Sequence, residues 1–265
     1  MHLHIRHLTE YTYPQSQKRV MQVLRLHPQH SDRQKVINWY VDTPHVGRTS
    51  FDAYGNLTHH VCLQETESYF RIEARGVIET NNIPWQMVKE ELSPFVFLRS
   101  STSTQINRDL WVLLEPYKTA LQTNRQAGVE ALSAAILASV PFTLGVSHAH
   151  TSAAQALENA GGVCQDHAHI LIACCRAAGI PARYVSGYLY SNEHTHPQEA
   201  SHAWAQVWLP EHGWLGVDVA NQCWVNAHYV QVAVGLDYYD ASPIRGVRVG
   251  MGAEDMKVQV WVDRI

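Results

Sequence analysis

One stretch constrains this chain more than any other. Gly161-Gly162-Val163 leads into Cys164, and from Ile170 to Ala178 the run is apolar except for Arg176. Gly179 then offers a C-terminal cap, and Pro181 prevents continuation. A helix that is apolar almost all round must be buried, so the spacing predicts a central helix starting at Cys164. The remaining elements have to be arranged around it. A cysteine on the first turn of such a helix sits among unpaired N–H groups and partial positive charge. Both favour a thiolate, the nucleophilic form. The same N–H groups suit an oxyanion formed when a carbonyl is attacked. The preceding double glycine lets a backbone approach closely, which makes Gly162 a candidate for substrate binding.

The segments on either side follow two rhythms. Residues 1 to about 80 hold short apolar stretches separated by polar turns. These are His4 to Thr9, Val20 to Leu26, Lys35 to Val41, Leu57 to Leu63 and Ser68 to Thr80. That pattern predicts a sandwich-like β module. Asn81-Asn82-Ile83-Pro84 reads as a boundary. Helical spacing follows over Gln105 to Glu115 and Gly128 to Val140, and Ser152 with Gln155 forms a capping box ahead of Ala153 to Ala160. The expected organisation is an N-terminal β domain over residues 1–82, a helical linker and start of the core over 83–150, and the core over 151–265. The fold class is α+β. Met256 to Val262 alternates Val258, Val260 and Val262 with polar or large residues, and is expected to close the core sheet.

Beyond Pro181, Ala182 to Tyr190 reads as a strand. The polar loop Ser191 to Ala200 follows, a candidate wall of the cleft. Ser201 to Leu209 is a second strand, with His202, Trp204, Gln206 and Trp208 on one face. Pro210-Glu211-His212-Gly213 turns the chain into Trp214 to Asp218. Pairing Trp208 with Trp214 sets Asp218 opposite Trp204 and diagonal to His202. A carboxylate there fixes the imidazole through one nitrogen and leaves the other for a thiol proton. Trp204 and Trp214 are candidates to line a substrate channel.

The order Cys, then His, then Asp on the next strand resembles the transglutaminase-like superfamily of papain-like cysteine enzymes. So do the segments Gly162 to Asp166, Gly179 to Tyr188, His202-Ala203-Trp204 and Gly213 to Asp218. The Tyr11 to Tyr13 region, Arg25 to Pro28 and Asp52 to Asn56 resemble the β domain found before the core in a bacterial subgroup. The resemblance implies Cys164 as nucleophile, His202 as general base and acid, and Asp218 as orienting carboxylate. It implies a papain-like core in which a buried helix packs on an antiparallel sheet. The chain departs from the family pattern at His167, Val219-Ala220 and Leu236.

Three functional classes compete. In the first, a thioester acyl-enzyme on a peptide or protein amide ends in hydrolysis or in transfer to an amine. Hydrolysis is favoured because no Asp-x-Asp-x-Asp calcium pattern occurs. In the second, zinc is held by Cys164, His167 and His169 with His194, His196 and His202. However, Cys164 and His169 fall on opposite sides of a helix. In the third, a binding protein keeps the fold without the chemistry. No cofactor or metal is expected. A net charge of −4 with no basic tract argues against nucleic acid. The lack of a long apolar run or an N-terminal apolar region predicts a cytoplasmic location without a membrane span. Of the five cysteines, Cys62, Cys174, Cys175 and Cys223 are expected to be packing thiols.

Overall fold

The computed structural model describes residues 1–45, 47–87, 92–191 and 201–265. In chain order, six strands come first: β1 (His2–Thr12), β2 (Gln17–Leu24), β3 (Gln34–Asp42), β4 (Arg48–Phe51), β5 (Leu57–Thr66) and β6 (Tyr69–Thr80). A short β7 (Trp85–Gln86) leads to the helices α1 (Arg108–Leu114), α2 (Lys118–Thr123), α3 (Arg125–Ser139), α4 (Ala153–Glu158) and α5 (Cys164–Ala177). Then come β8 (Ala182–Leu189), β9 (Ser201–Leu209), β10 (Gly213–Asp218), β11 (Cys223–Trp224), β12 (Tyr229–Gly235), α6 (Tyr238–Ala241), β13 (Ile244–Val249) and β14 (Asp255–Arg264).

The N-terminal strands form two sheets, in the orders β14-β1-β6-β3 and β13-β2-β5-β4 among the described residues. Alternate residues Leu3, Ile5, Val20, Leu24, Val61, Ile72 and Ile78 point into one buried cluster, as a sandwich requires. The C-terminal strand does not close the core sheet. β14 pairs antiparallel with β1, and β13 pairs with β2. The alternation of Val258, Val260 and Val262 is satisfied by the sandwich, so residues from Ile244 onward leave the core and return to the first module. A half-exposed strand has the same period whichever sheet it joins.

The core sheet runs β11-β10-β9-β8-β12, with β7 also paired to β10. Helix α5 lies on it and is buried from Asp166 to Arg176. Ala203, Ala205 and Val207 of β9 meet the helix in one cluster with Ala168, Leu171 and Cys175. The small side chains let helix and strand approach closely. The helix stops as its sequence predicts: Gly179 takes φ +78°, and Ile180 N–H reaches back to Cys175 O at 2.9 Å. Arg176, the single charge in the apolar run, is tied to the carbonyls of Phe97, Ala182 and Leu236 and to Thr104 Oγ1. A buried guanidinium is tolerable only with such saturation.

The two modules share a seam. Tyr188, Val230 and Val232 of the core sheet pack into the sandwich cluster. The outer edge of β12 is closed by side-chain amides. Asn56 donates to Val234 O and accepts from Val234 N–H, each at 2.8 Å. Gln34 does the same at Gln231, also 2.8 Å each way. Asp52 Oδ1 accepts from the Tyr54 and Asn56 N–H groups, and Arg25 Nε donates to Asp52 Oδ2 at 2.8 Å. The Asp52-to-Asn56 motif is therefore a turn built to cap a sheet edge, which would otherwise offer unpaired backbone groups. Among the described residues no helix is long and apolar enough to cross a membrane.

Candidate active site

The strand register is the expected one: Trp208 lies opposite Trp214, and Val217 opposite Ala205. Asp218 is the next residue along β10, which brings it within reach of His202 on the neighbouring strand. His202 Nε2–H donates to Asp218 Oδ2 at 2.6 Å. That leaves Nδ1 as the ring nitrogen not bound to Asp218, and Cys164, on the first turn of α5, lies close enough for its charge to act on the imidazole. Burial alone pushes the His202 imidazole down. The charges of Cys164 and Asp218, with the hydrogen bond to Asp218, outweigh it and hold its pKa at about 10. For Asp218 burial acts upward. The His202 charge and hydrogen bonds from His202, Asn221 and Tyr229 outweigh it and keep the carboxyl below its ordinary value. His202 and Asp218 are thus brought into direct contact, with Cys164 near the same imidazole.

The nucleophile end is held by a carboxylate with no catalytic reach. Asp166 Oδ2 accepts from Val163 N–H at 2.8 Å and from Ser147 Oγ at 2.6 Å. Val163 has no polar side chain, so Asp166 satisfies the start of the helix from inside it. The first intrahelical bond runs from His167 N–H to Val163 O, 3.1 Å. The N–H groups of Cys164, Gln165 and Asp166 therefore have no intrahelical carbonyl to bind.

Of the expected substrate-binding residues, Gly162 and Trp204 lie beside the candidate site and Trp214 lies apart from it. A Cβ at Gly162 would lie 2.8 Å from Asp166 Oδ2, so this glycine makes room for the Asp166 cap. Trp204 is buried. Its ring stacks on His202 at 6.4 Å and meets Tyr229 edge-on at 5.4 Å. It supports the imidazole from below. Trp214 is buried at the other end of the strands, against Phe97 and Trp208 and under the Arg183 guanidinium at 4.3 Å. Buried rings have no surface to offer a channel. The polar loop expected as a cleft wall lies mainly outside the described residues, as do His194 and His196.

His167 and His169 serve the scaffold. His167 Nε2 donates to Val140 O at 2.7 Å, and His169 Nε2 accepts from Tyr238 N–H at 3.1 Å. Burial lowers both, His169 to about 4. Among the described residues no group of three His, Cys, Asp or Glu side chains is placed to hold a metal ion.

Two supporting residues carry no sequence motif of their own strength. Asn221 Nδ2 donates to Asp218 Oδ2 at 2.7 Å. Tyr229, from β12, donates its hydroxyl to the same oxygen at 2.8 Å. Its single proton being spent there, Cys223 S–H donates to Tyr229 at 3.2 Å. Asn221 is traceable as the retained end of the Asp-x-x-Asn segment. Tyr229 has no local signal, because its partner is eleven residues away on another strand.

Residues 114–219 match the transglutaminase-like superfamily core, and residues 3–79 match the bacterial transglutaminase-like N-terminal region. An uncharacterized protein of Mycobacterium leprae is 30% identical over 282 residues, covering 98% of this chain and 97% of that one. A protein-glutamine gamma-glutamyltransferase of Pseudomonas aeruginosa is 42% identical over 67 residues, 23% of this chain and 10% of that one. A crystal structure from Cytophaga hutchinsonii, provisionally described as a cysteine protease, superposes with a TM-score of 0.77 at 21% identity. It covers 99% of this chain and 90% of that one. At that identity the likeness speaks to the fold.

Proposed function

Because the chain belongs to the transglutaminase-like superfamily, with a bacterial N-terminal region before its core, we propose that it is a cysteine-dependent amide hydrolase. Its substrate is a peptide or protein amide. Cys164 attacks the carbonyl carbon, and the oxyanion settles against the Cys164 N–H. His202 Nδ1 passes the thiol proton to the leaving amine as the C–N bond breaks, leaving a thioester. Water then gives a proton to His202 and attacks the thioester. The C–S bond breaks, and the acid is released. Asp218 holds the imidazolium through Nε2 in both halves.

The observation that carries this reading is the 2.6 Å contact from His202 Nε2 to Asp218 Oδ2, with the charge of Cys164 acting on the same imidazole. A second reading, transfer of the acyl group to an amine, is favoured by the 67-residue similarity to a glutamyltransferase. It uses the same thioester, with an amine in place of water.

A library of peptides and glutamine amides, incubated with and without an added primary amine and read by mass spectrometry, separates the two. Hydrolysis yields the free acid in either case. Transfer yields an amine adduct only when the amine is present. Cys164→Ala should yield neither product. Turnover that persists in Cys164→Ala overturns the assignment.

A further inference from the structure

The outer face of one sandwich sheet holds a cavity of about 480 Å³ that the amide chemistry does not use. The strand register builds it. Val23 of β2 lies opposite Arg245 of β13 and opposite His60 of β5. Two residues along, Met21 lies opposite Val247 and Cys62. Residues directly opposite share a sheet face, with Cβ atoms about 4.5–5.5 Å apart. The alternate residues Val20, Leu24 and Val61 fill the sandwich interior, so these two rows face outward. Met21 and Val247 are accordingly 41% and 62% exposed. Arg25, two positions beyond Val23, completes the lining. The cavity has the size of a small-molecule site.

Its charge is one-sided. No residue lining it is acidic, whereas Arg25, Arg245 and His60 all stand in its wall. Arg25 Nε is held by Asp52 Oδ2 at 2.8 Å, but its Nη1 is buried without a partner. A buried donor without an acceptor is costly. Arg245 lies over the Tyr239 ring at 5.0 Å and reaches the Tyr239 carbonyl only weakly, at 3.5 Å. Arg48 of β4 stands opposite His60 and adds positive charge to the same face. Neither Arg48 nor Arg245 is in an ion pair among the described residues. In a chain of net charge −4, this face is set up for an anion. The remaining wall is apolar, from Met21, Val23 and Val247. Four residues separate Arg25 from Met21, roughly 13 Å along a strand at about 3.3 Å per residue.

We propose that this cavity binds an organic carboxylate with an aliphatic chain. The carboxylate lies at the Arg25 and Arg245 end, where a guanidinium fork matches two oxygens. The chain runs along Val23 toward Met21 and Val247, a length that suits about eight carbons. The site is separate from the amide chemistry and does not rest on it.

The probe is octanoate, and Cys62 in the cavity wall reports its binding. In the full chain, octanoate should protect Cys62 from iodoacetamide, read by mass spectrometry, while Cys164 is alkylated at an unchanged rate. Octanol, equally long but neutral, should need at least about tenfold more for the same protection, the scale of a charge-assisted hydrogen bond. Arg245→Gln should raise the octanoate concentration required by about the same factor. Val247→Asp should abolish protection, because it places a negative charge in the cavity. Both variants sit on the exposed β13 and leave the Arg25–Asp52 contact intact. No protection, equal protection by octanoate and octanol, or protection unchanged in both variants overturns the proposal. Equal slowing of Cys62 and Cys164 reports a change of the whole molecule and overturns it as well. Protection by phosphatidylglycerol vesicles but not by octanoate assigns the face to an anionic membrane and overturns the soluble ligand.

Discussion

His7 in the sandwich and His202 in the core are both largely removed from water, yet they end in opposite states. His7 Nδ1 meets the Tyr188 hydroxyl at 2.9 Å, and Nε2 meets Thr9 Oγ1 at 3.2 Å. Its partners are neutral, and burial pushes it down to about 4. His202 suffers the same burial but faces Cys164 and Asp218, and is held at about 10. The charge of the partners decides, and burial sets the background. Most of the 17 histidines therefore say nothing about function, and an imidazole that faces a thiol and a carboxylate stands apart.

The sharpest way to break this contrast is to remove the reacting groups. Cys164→Ala and His202→Ala should each reduce turnover by on the order of 10⁴-fold or more. Circular dichroism should show an intact fold in both. A His202→Ala enzyme with near wild-type turnover contradicts the account.

Next comes Asp218→Asn, which keeps the shape and removes the charge. A smaller loss is expected, on the order of 10³-fold, because Asp218 orients and does not react. The pH dependence has a definite sign. His202 has a folded pKa above its ordinary 6.5, so the pair's stabilisation is full below 6.5 and lost as pH rises through about 10. Asp218 is depressed below its ordinary 3.8, so its share is present above that value and lost as pH falls through the depressed value. In Asp218→Asn the imidazole titration followed by NMR should move down from about 10. An unmoved titration means the carboxylate is not what holds the proton.

Tyr229→Phe is subtler. Asp218 loses one of three side-chain donors, so turnover should fall roughly tenfold, a change of about 1.4 kcal/mol. The acid limb of the pH profile should move upward, since the hydrogen bond from Tyr229 helps keep Asp218 ionised. The groups facing Asp218 besides Tyr229 are His202, Asn221, Cys223 and, more distantly, His167. A merely structural role would lower turnover without moving that limb.

The smallest effect lies on the sandwich side. His7 is neutral when folded, so its contribution is present above pH 6.5 and lost as pH falls toward 4. That amounts to roughly 3 kcal/mol at full burial. Urea midpoints between pH 6.5 and 4 should fall more steeply in the wild type than in His7→Gln. Parallel curves contradict the contrast.

Much of the site is legible in the amino-acid sequence because its signals are local. Cys164 follows two glycines and opens an apolar run, and the four-residue turn at Pro210 to Gly213 sets the register that faces His202 with Asp218. What is not legible depends on distant partners. Tyr229 matters only because β12 brings it to Asp218. The contact that Gly162 makes room for, with the Asp166 carboxylate, likewise has no signal in the glycine itself. Trp214 shares a face with Asp218, but the face is long, and the far end is filled by Phe97 and Arg183. The destination of β14 fails for a related reason: a two-residue period names a buried face without naming the sheet.

The central claim is that position and partners, more than exposure, make one cysteine reactive. Cys62 is exposed, whereas Cys164 is half-buried. Site-resolved iodoacetamide alkylation near neutral pH, read by mass spectrometry, tests this directly. The account predicts that Cys164 is modified far faster than Cys62, with Cys174, Cys175 and Cys223 slower still. Equal rates at Cys62 and Cys164, or a faster Cys62, contradict it.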